Sequence, residues 1–192
     1  PELFKNVNIS LLSTLVEMFM KDVGMIVNIT SLAKDLGVHK LTLTNHIKLL
    51  EYGKIIRIIK NYRPSIRAES RKLMKVYPYN VALSFCFYPN LTGGQILESL
   101  VASALNTNKY WRKNGREIDF LKINKSIIPI EVKEKERINL EDLRNLIWFM
   151  DKYKMNYGTL IYQGREEVLK LRDKEIRLYP LLKLLFNFSL EE

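Results

Sequence analysis

Apolar residues recur at helical spacing from Ile9 to Phe19, where Leu11, Leu12, Leu15 and Met18 or Phe19 would share one face. After Gly24 comes a short β-branched run, Met25-Ile26-Val27. Asn28 or Thr30 can cap the next helix, Ser31 to Leu36, and Gly37 supplies the left-handed turn that ends it. A longer helix from about Lys40 to Glu51 would pack Leu43, Ile47 and Leu50 inward beside Val38. Short helix, glycine turn and longer helix make helix-turn-helix spacing. Pro78 and Pro89 then interrupt the pattern, because each removes a backbone donor and restricts the residue before it. Beyond Gly93-Gly94 a helix to about Leu105 carries a stripe of Ile96, Leu97, Leu100, Val101 and Leu105. Tyr110-Trp111-Arg112 reads as a strand and Lys113-Asn114-Gly115 as a hairpin turn. Strands follow at 116–122 and 126–133, then a long helix from about Leu140 to Lys154, a strand from Gly158 to Tyr162, a polar turn and a helical segment after Pro180. The order predicts an α+β class. Domains are expected at 1–66 and 94–192, with 67–93 connecting them.

Charge adds a partner class. The chain carries a net +10 with a pI near 9.6. Residues 1–80 hold 13 Lys/Arg against 6 Asp/Glu, and the remainder 18 against 15, so the excess lies mainly in the first half. A polyanion such as duplex DNA fits this balance. The single cysteine, Cys86, excludes an intramolecular disulfide framework and is expected as a buried thiol in the apolar run Ala82 to Tyr88. No apolar run reaches membrane-spanning length and no leader pattern occurs, so no membrane partner and a cytoplasmic location are expected. A start at Pro1 suggests a processed or excised fragment.

The densest chemistry lies between Arg116 and Lys133. Glu131 and Lys133 alternate with Val132, so they share a strand face. Antiparallel pairing of the two strands would bring Asp119 beside them. Two carboxylates and a lysine can hold a hard divalent cation and position a water. Glu98, on the flank of the preceding helix stripe, is a further candidate. Glu117 is expected on the face opposite Asp119 and is the weaker ligand candidate.

Two resemblances sharpen these readings. The stretch SLAKDLGVHKLTLTNHIKLLEYGKIIRII resembles the winged helix-turn-helix family. That likeness implies a second helix in the major groove, with Lys40, Thr42, Asn45, His46 and Lys48 facing outward toward phosphates and base edges. It also implies a wing formed by Ile55 to Ile59, a turn near Asn61, and a basic stretch through Arg63 and Arg67. His39 and His46 lack the partners of a metal site.

In the second half, Glu98, the Glu117-Ile118-Asp119-Phe120 strand and Glu131-Val132-Lys133 resemble the PD-(D/E)xK restriction-endonuclease-like αβββαβ fold. The Lys72 to Leu83 segment, Gly94 to Val101, the 110–133 block and Leu178-Tyr179-Pro180 are similar to the carboxy-terminal region of archaeal and bacterial AAA-type ATPases, which carries a winged helix followed by such a nuclease-like domain. The resemblance implies Glu98, Asp119, Glu131 and Lys133 as catalytic residues of phosphodiester hydrolysis. Asp119 and Glu131 would ligate Mg2+ or Mn2+ with the Val132 carbonyl, Glu98 would hold a second ion or anchor the first through water, and Lys133 would orient the attacking water. Partners implied are duplex DNA and an upstream or separate ATPase module. Asn80 stands where that family often has an acidic residue, no glutamine occupies the helix after Lys133, and no phosphate-binding GxxxxGK(S/T) loop occurs. The alternative function is a non-catalytic DNA-binding or regulatory, protein-interaction region with a degenerate nuclease site.

Overall fold

In a computed structural model, residues 7–63, 73–124 and 126–187 are described. The first half runs α1 (Ile9–Lys21), β1 (Met25–Val27), α2 (Ile29–Asp35), α3 (Lys40–Tyr52), β2 (Ile56–Asn61) and β3 (Met74–Pro78). Side-chain caps set the helix starts: Asn8 accepts from the Leu11 amide, Asn28 from Thr30 and Ser31, and His39 from Leu41. Asn28 therefore starts α2 two residues earlier than a Thr30 cap would. β3 pairs antiparallel with both β1 and β2, and Leu15, Phe19, Leu43, Ile47, Ile56 and Val76 fill the core between this sheet and the helices.

The second half runs α4 (Val81–Phe87), α5 (Gly93–Leu105), β4 (Lys109–Lys113), β5 (Arg116–Ile118), β6 (Phe120–Ile123), β7 (Ile127–Val132), α6 (Arg144–Tyr153), β8 (Tyr157–Tyr162), β9 (Glu167–Leu171), β10 (Lys174–Pro180) and α7 (Leu181–Asn187). Thr92 and Gln95 form a reciprocal capping box at the start of α5. The β4–β5 turn takes positive φ at both Asn114 and Gly115, as a two-residue hairpin turn requires. Two five-stranded sheets result, in the orders β1-β3-β2-β4-β5 and β6-β7-β8-β10-β9.

The two halves share backbone and core. Lys60 and Asn61 of β2 pair in parallel with Lys109 and Tyr110 of β4. The buried Asn61 amide extends that ladder, since its Nδ2 donates to the Arg112 carbonyl at 3.1 Å and its Oδ1 accepts from the Arg112 amide at 3.0 Å. Val23, Ile59 and Tyr77 pack in one cluster with Leu97, Val101, Tyr110, Phe120, Ile130 and Tyr179. A third cluster joins Trp111, Ile118, Phe149, Leu160 and Ile176 under α6.

Several expectations change. The stretch 67–93 contains β3 and α4, the latter capped by Asn80. Asn61 ends a strand rather than making a turn. The expected strand at 116–122 is bent at Asp119 into β5, which pairs with β4, and β6, which pairs with β7. The long helix starts at Arg144, because Asn139 and Asp142 bond reciprocally through side chain and backbone in a turn before it. The polar turn after Tyr162 is the hairpin β9–β10, whose alternate charged residues hide the period of two. Cys86 is exposed, because the buried side of α4 is carried by Ser84. Among the described residues no helix is long and apolar enough to cross a membrane.

Candidate functional site

The bend at Asp119 sits where β5 leaves one sheet and β6 joins the other. Its Oδ2 accepts from the Val132 amide at 2.9 Å, which locks the carboxylate against the end of β7. Antiparallel pairing of β6 with β7 therefore brings Asp119 to Glu131-Val132-Lys133, as the spacing predicts. Lys133 donates to Glu131 Oε2 at 3.1 Å. Glu131 is 2% exposed, and its other oxygen, Oε1, is buried with no hydrogen-bond partner among the described residues. A buried acceptor left unpaired costs about 1–3 kcal/mol, and more for a charged group.

Glu98 enters from α5. Tyr77 of β3 donates its hydroxyl to Glu98 Oε2 at 2.7 Å. The helix approaches the exit of β7 so closely that a Cβ on Gly93 would lie 1.7 Å from Glu134 Oε1.

One side chain of the site lies outside the sequence expectations. Lys75 of β3 is 5% exposed, and its Nζ lies 2.5 Å from Glu117 Oε1, 3.6 Å from Glu98 Oε2 and 3.9 Å from Asp119 Oδ1. The rings of Tyr110 and Tyr77 flank the same ammonium at 5.6 and 6.0 Å. Glu117 joins the cluster, contrary to expectation, because residues two apart in a strand share a face and Glu117 and Asp119 are two apart. The signal available for Lys75 is its alternation with Val76: positions 75 and 77 lie on one side of a strand whose five residues are nearly all buried.

Simple magnitudes explain the cluster. Burying an ammonium costs several kcal/mol, and one carboxylate 3.6 Å away returns about 5 kcal/mol at an effective dielectric of about 20. One partner roughly balances the burial, so three hold the charge firmly. Burial works to lower the Lys75 pKa, but Tyr77 and the three carboxylates raise it well above the ordinary lysine value. Burial raises the Glu131 carboxyl well above its ordinary value, and Asp119 adds to this. Glu98 is raised by burial and then by Asp119. Burial also opposes the Lys133 charge, but Glu131 and Asp119 outweigh it and raise that pKa.

Among the described residues no three His, Cys, Asp or Glu side chains converge to hold a metal ion. Asp119 and Glu131 are the two carboxylates that would hold an ion such as Mg2+ or Mn2+, with its remaining positions left to carbonyl, water or substrate oxygens. The unpaired Glu131 Oε1 is the feature such an ion would satisfy.

The expected DNA-contacting residues separate. Lys40, Asn45 and Lys48 are exposed on α3 and Thr42 is half-buried. His46 is buried instead of facing outward: its Nε2 accepts from the Asn8 amide at 2.9 Å and its Nδ1 lies 2.8 Å from the Thr42 carbonyl. It ties α3 to the start of α1. Arg63 is not a free basic group either, because its guanidinium donates to the Arg112 carbonyl at 2.6 Å. The strand expected at Ile55 to Ile59 is β2, paired on one edge with β3 and on the other with β4. Arg67 lies outside the described residues.

Residues 93–184 match the model of a domain of unknown function, DUF4143, and residues 1–90 that of a second domain of unknown function, DUF8612. No curated protein and no solved structure matches the chain. The boundary between the two matches falls between α4 and α5, so Lys75 and Tyr77 belong to the first match, and Glu98, Glu117, Asp119, Glu131 and Lys133 to the second.

Proposed function

We propose that the chain is a DNA-binding module with a metal-dependent phosphodiester-hydrolysing site at Asp119, Glu131 and Lys133. The observation that carries this reading is the buried Glu131 carboxylate, held beside Asp119 and Lys133 with one oxygen unpaired. A buried carboxylate pair is unfavourable as structure and useful as a cation site. When bound, a divalent ion supplies charge neutralisation at the phosphate and a more acidic water. Asp119 and Glu131 would hold that ion, and the Val132 amide keeps Asp119 from rotating away. Lys133, with its ammonium at the Glu131 oxygen, would orient the attacking water and offset the charge that develops on the phosphate.

The order α1-β1-α2-α3-β2-β3 supports a winged helix in the first half, with Lys40, Thr42, Asn45 and Lys48 of α3 as the surface that meets duplex DNA. The succession of α5, the strands β4 to β7, α6 and β8 supports a PD-(D/E)xK-like second half. A DUF4143 match, a domain found in AAA-ATPase-associated proteins, supports an ATPase as the functional partner.

With supercoiled or linear duplex DNA and Mg2+ or Mn2+, the chain is expected to nick or cut. Asp119→Ala and Lys133→Ala are each expected to abolish cleavage with unchanged far-ultraviolet circular dichroism. Cleavage that survives both substitutions contradicts the site. A second reading, a non-catalytic DNA-binding or regulatory region, draws on a different observation: Glu98, Glu117 and Asp119 already surround one cation, the Lys75 ammonium. Salt-sensitive DNA binding without metal-dependent turnover would favour it.

A further inference from the structure

Lys75 is a buried cation that reaches the site from the first half of the chain. Its ammonium is surrounded by Glu98, Glu117 and Asp119, and Asp119 is also the carboxylate that lies against Val132 beside Glu131. The two Asp119 oxygens are thus divided: Oδ1 faces Lys75 and Oδ2 takes the Val132 amide. Paired metal ions in phosphoryl-transfer sites stand about 3.5–4 Å apart and share a bridging carboxylate region. Lys75 lies on the Glu98 side of Asp119, where Glu98 and Glu117 also converge.

From this division we infer that Lys75 is the built-in second cation: its ammonium replaces one divalent ion, Glu98 and Glu117 anchor the lysine rather than metal, and the site loads a single ion on the Glu131 side of Asp119. The inference rests on the metal-dependent reading of the site and refines it. Three features support it together. Glu98 gives the same oxygen to Tyr77 and Lys75, which leaves it engaged on the β3 side. Glu117 is divided between Lys75 and Arg112, the latter at 3.4 Å. Lys75 is too deeply buried to leave without moving β3, whose neighbours Val76 and Tyr77 are fully buried. A fixed ammonium does not exchange with solvent, so its single positive charge, beside the two of one divalent ion, would not depend on the metal concentration. Lys75 acts here as a positioning residue for Asp119 and a source of fixed charge.

The test is a count of bound Mn2+ by calorimetry, with the electron paramagnetic resonance spectrum of the bound ion read in parallel. The full chain is expected to bind one Mn2+ with the spectrum of an isolated ion. Lys75→Met is expected to bind two, with the broadened spectrum of a coupled pair, and Lys75→Arg one. Two coupled ions in the unsubstituted chain overturn the inference and leave the metal-dependent reading standing; that arm needs no variant to fold. One ion in both the unsubstituted chain and Lys75→Met also overturns it. An ion bound only by Lys75→Met overturns both, because Lys75 then fills the sole cation position. No binding by either protein removes the metal-dependent reading and the inference with it.

Discussion

Glu131 is the residue whose environment makes the sharpest demand. Burial, and then Asp119, raise its carboxyl well above the ordinary value of 4.5. The folded chain therefore takes up a proton that the unfolded chain has released, and folding is penalised as pH rises from 4.5 through the folded pKa. Below 4.5 both states are protonated and the penalty disappears. Glu131→Gln is accordingly expected to raise the melting temperature near pH 8 in chelator, with the gain shrinking toward zero near pH 4.5. A gain that is the same at both pH values contradicts the assignment. Lys75 makes the opposite demand. Removing one partner of a buried ion pair typically costs about 3–5 kcal/mol, so Lys75→Met is expected to lose roughly that much stability in chelator. Part of the loss is expected to return in millimolar Mn2+, because a ligand that binds only the folded state stabilises it. Denaturant midpoints with and without Mn2+ check both statements.

At the scale of elements, the spacing of apolar residues is enough to place α1, α3, α5 and the pair β6–β7. The helices carry a period on one buried face, as with Leu11, Leu15 and Phe19 in α1, whereas β7 is read from its apolar run, buried on both faces. The β9–β10 hairpin is not legible in this way, because Glu167, Lys170, Lys174 and Arg177 make the segment read as a polar turn while Leu169, Leu171, Ile176 and Leu178 pack under it. His46 escapes for another reason. Its position on α3 fits an exposed face by sequence, but the Asn8 amide at the start of α1 donates to its ring. The α3 surface proposed to meet DNA is smaller than the sequence suggests, and Lys40 and Lys48 carry its charge. Removing one lysine that neutralises a phosphate lowers the salt dependence of binding by about one unit of slope. Lys40→Ala with Lys48→Ala is expected to reduce the slope of log K against log salt by about two units. An unchanged slope would move the DNA interface off α3.

At the scale of the whole molecule, the described residues of the two halves are joined along a shared seam. β2 pairs with β4, Arg63 and Asn61 both bond the Arg112 backbone, and Tyr77 packs in the same core as Leu97 and Phe120. Thermal unfolding is therefore expected as one cooperative transition, with calorimetric and van't Hoff enthalpies equal. Two resolved transitions would mean that the seam is weaker than its hydrogen bonds and packing imply. The seam also explains what sequence can and cannot reveal about the site. Glu98, Asp119, Glu131 and Lys133 are legible because they are local: Glu98 flanks a helix stripe, Glu131 lies on β7, and Asp119 and Lys133 directly adjoin β6 and β7. Lys75 and Tyr77 are not, because their place depends on β3 lying between β1 and β2 and reaching across to α5. No period within 74–78 states which carboxylates lie opposite.

Whether Asp119 and Glu131 hold a divalent ion can be decided by anomalous diffraction from crystals of the full chain soaked in Mn2+. One anomalous peak per chain is expected, bounded by the Asp119 and Glu131 carboxylates, with Lys75 still between Glu98 and Glu117. Featureless density at that position under saturating Mn2+ would contradict a metal-dependent site.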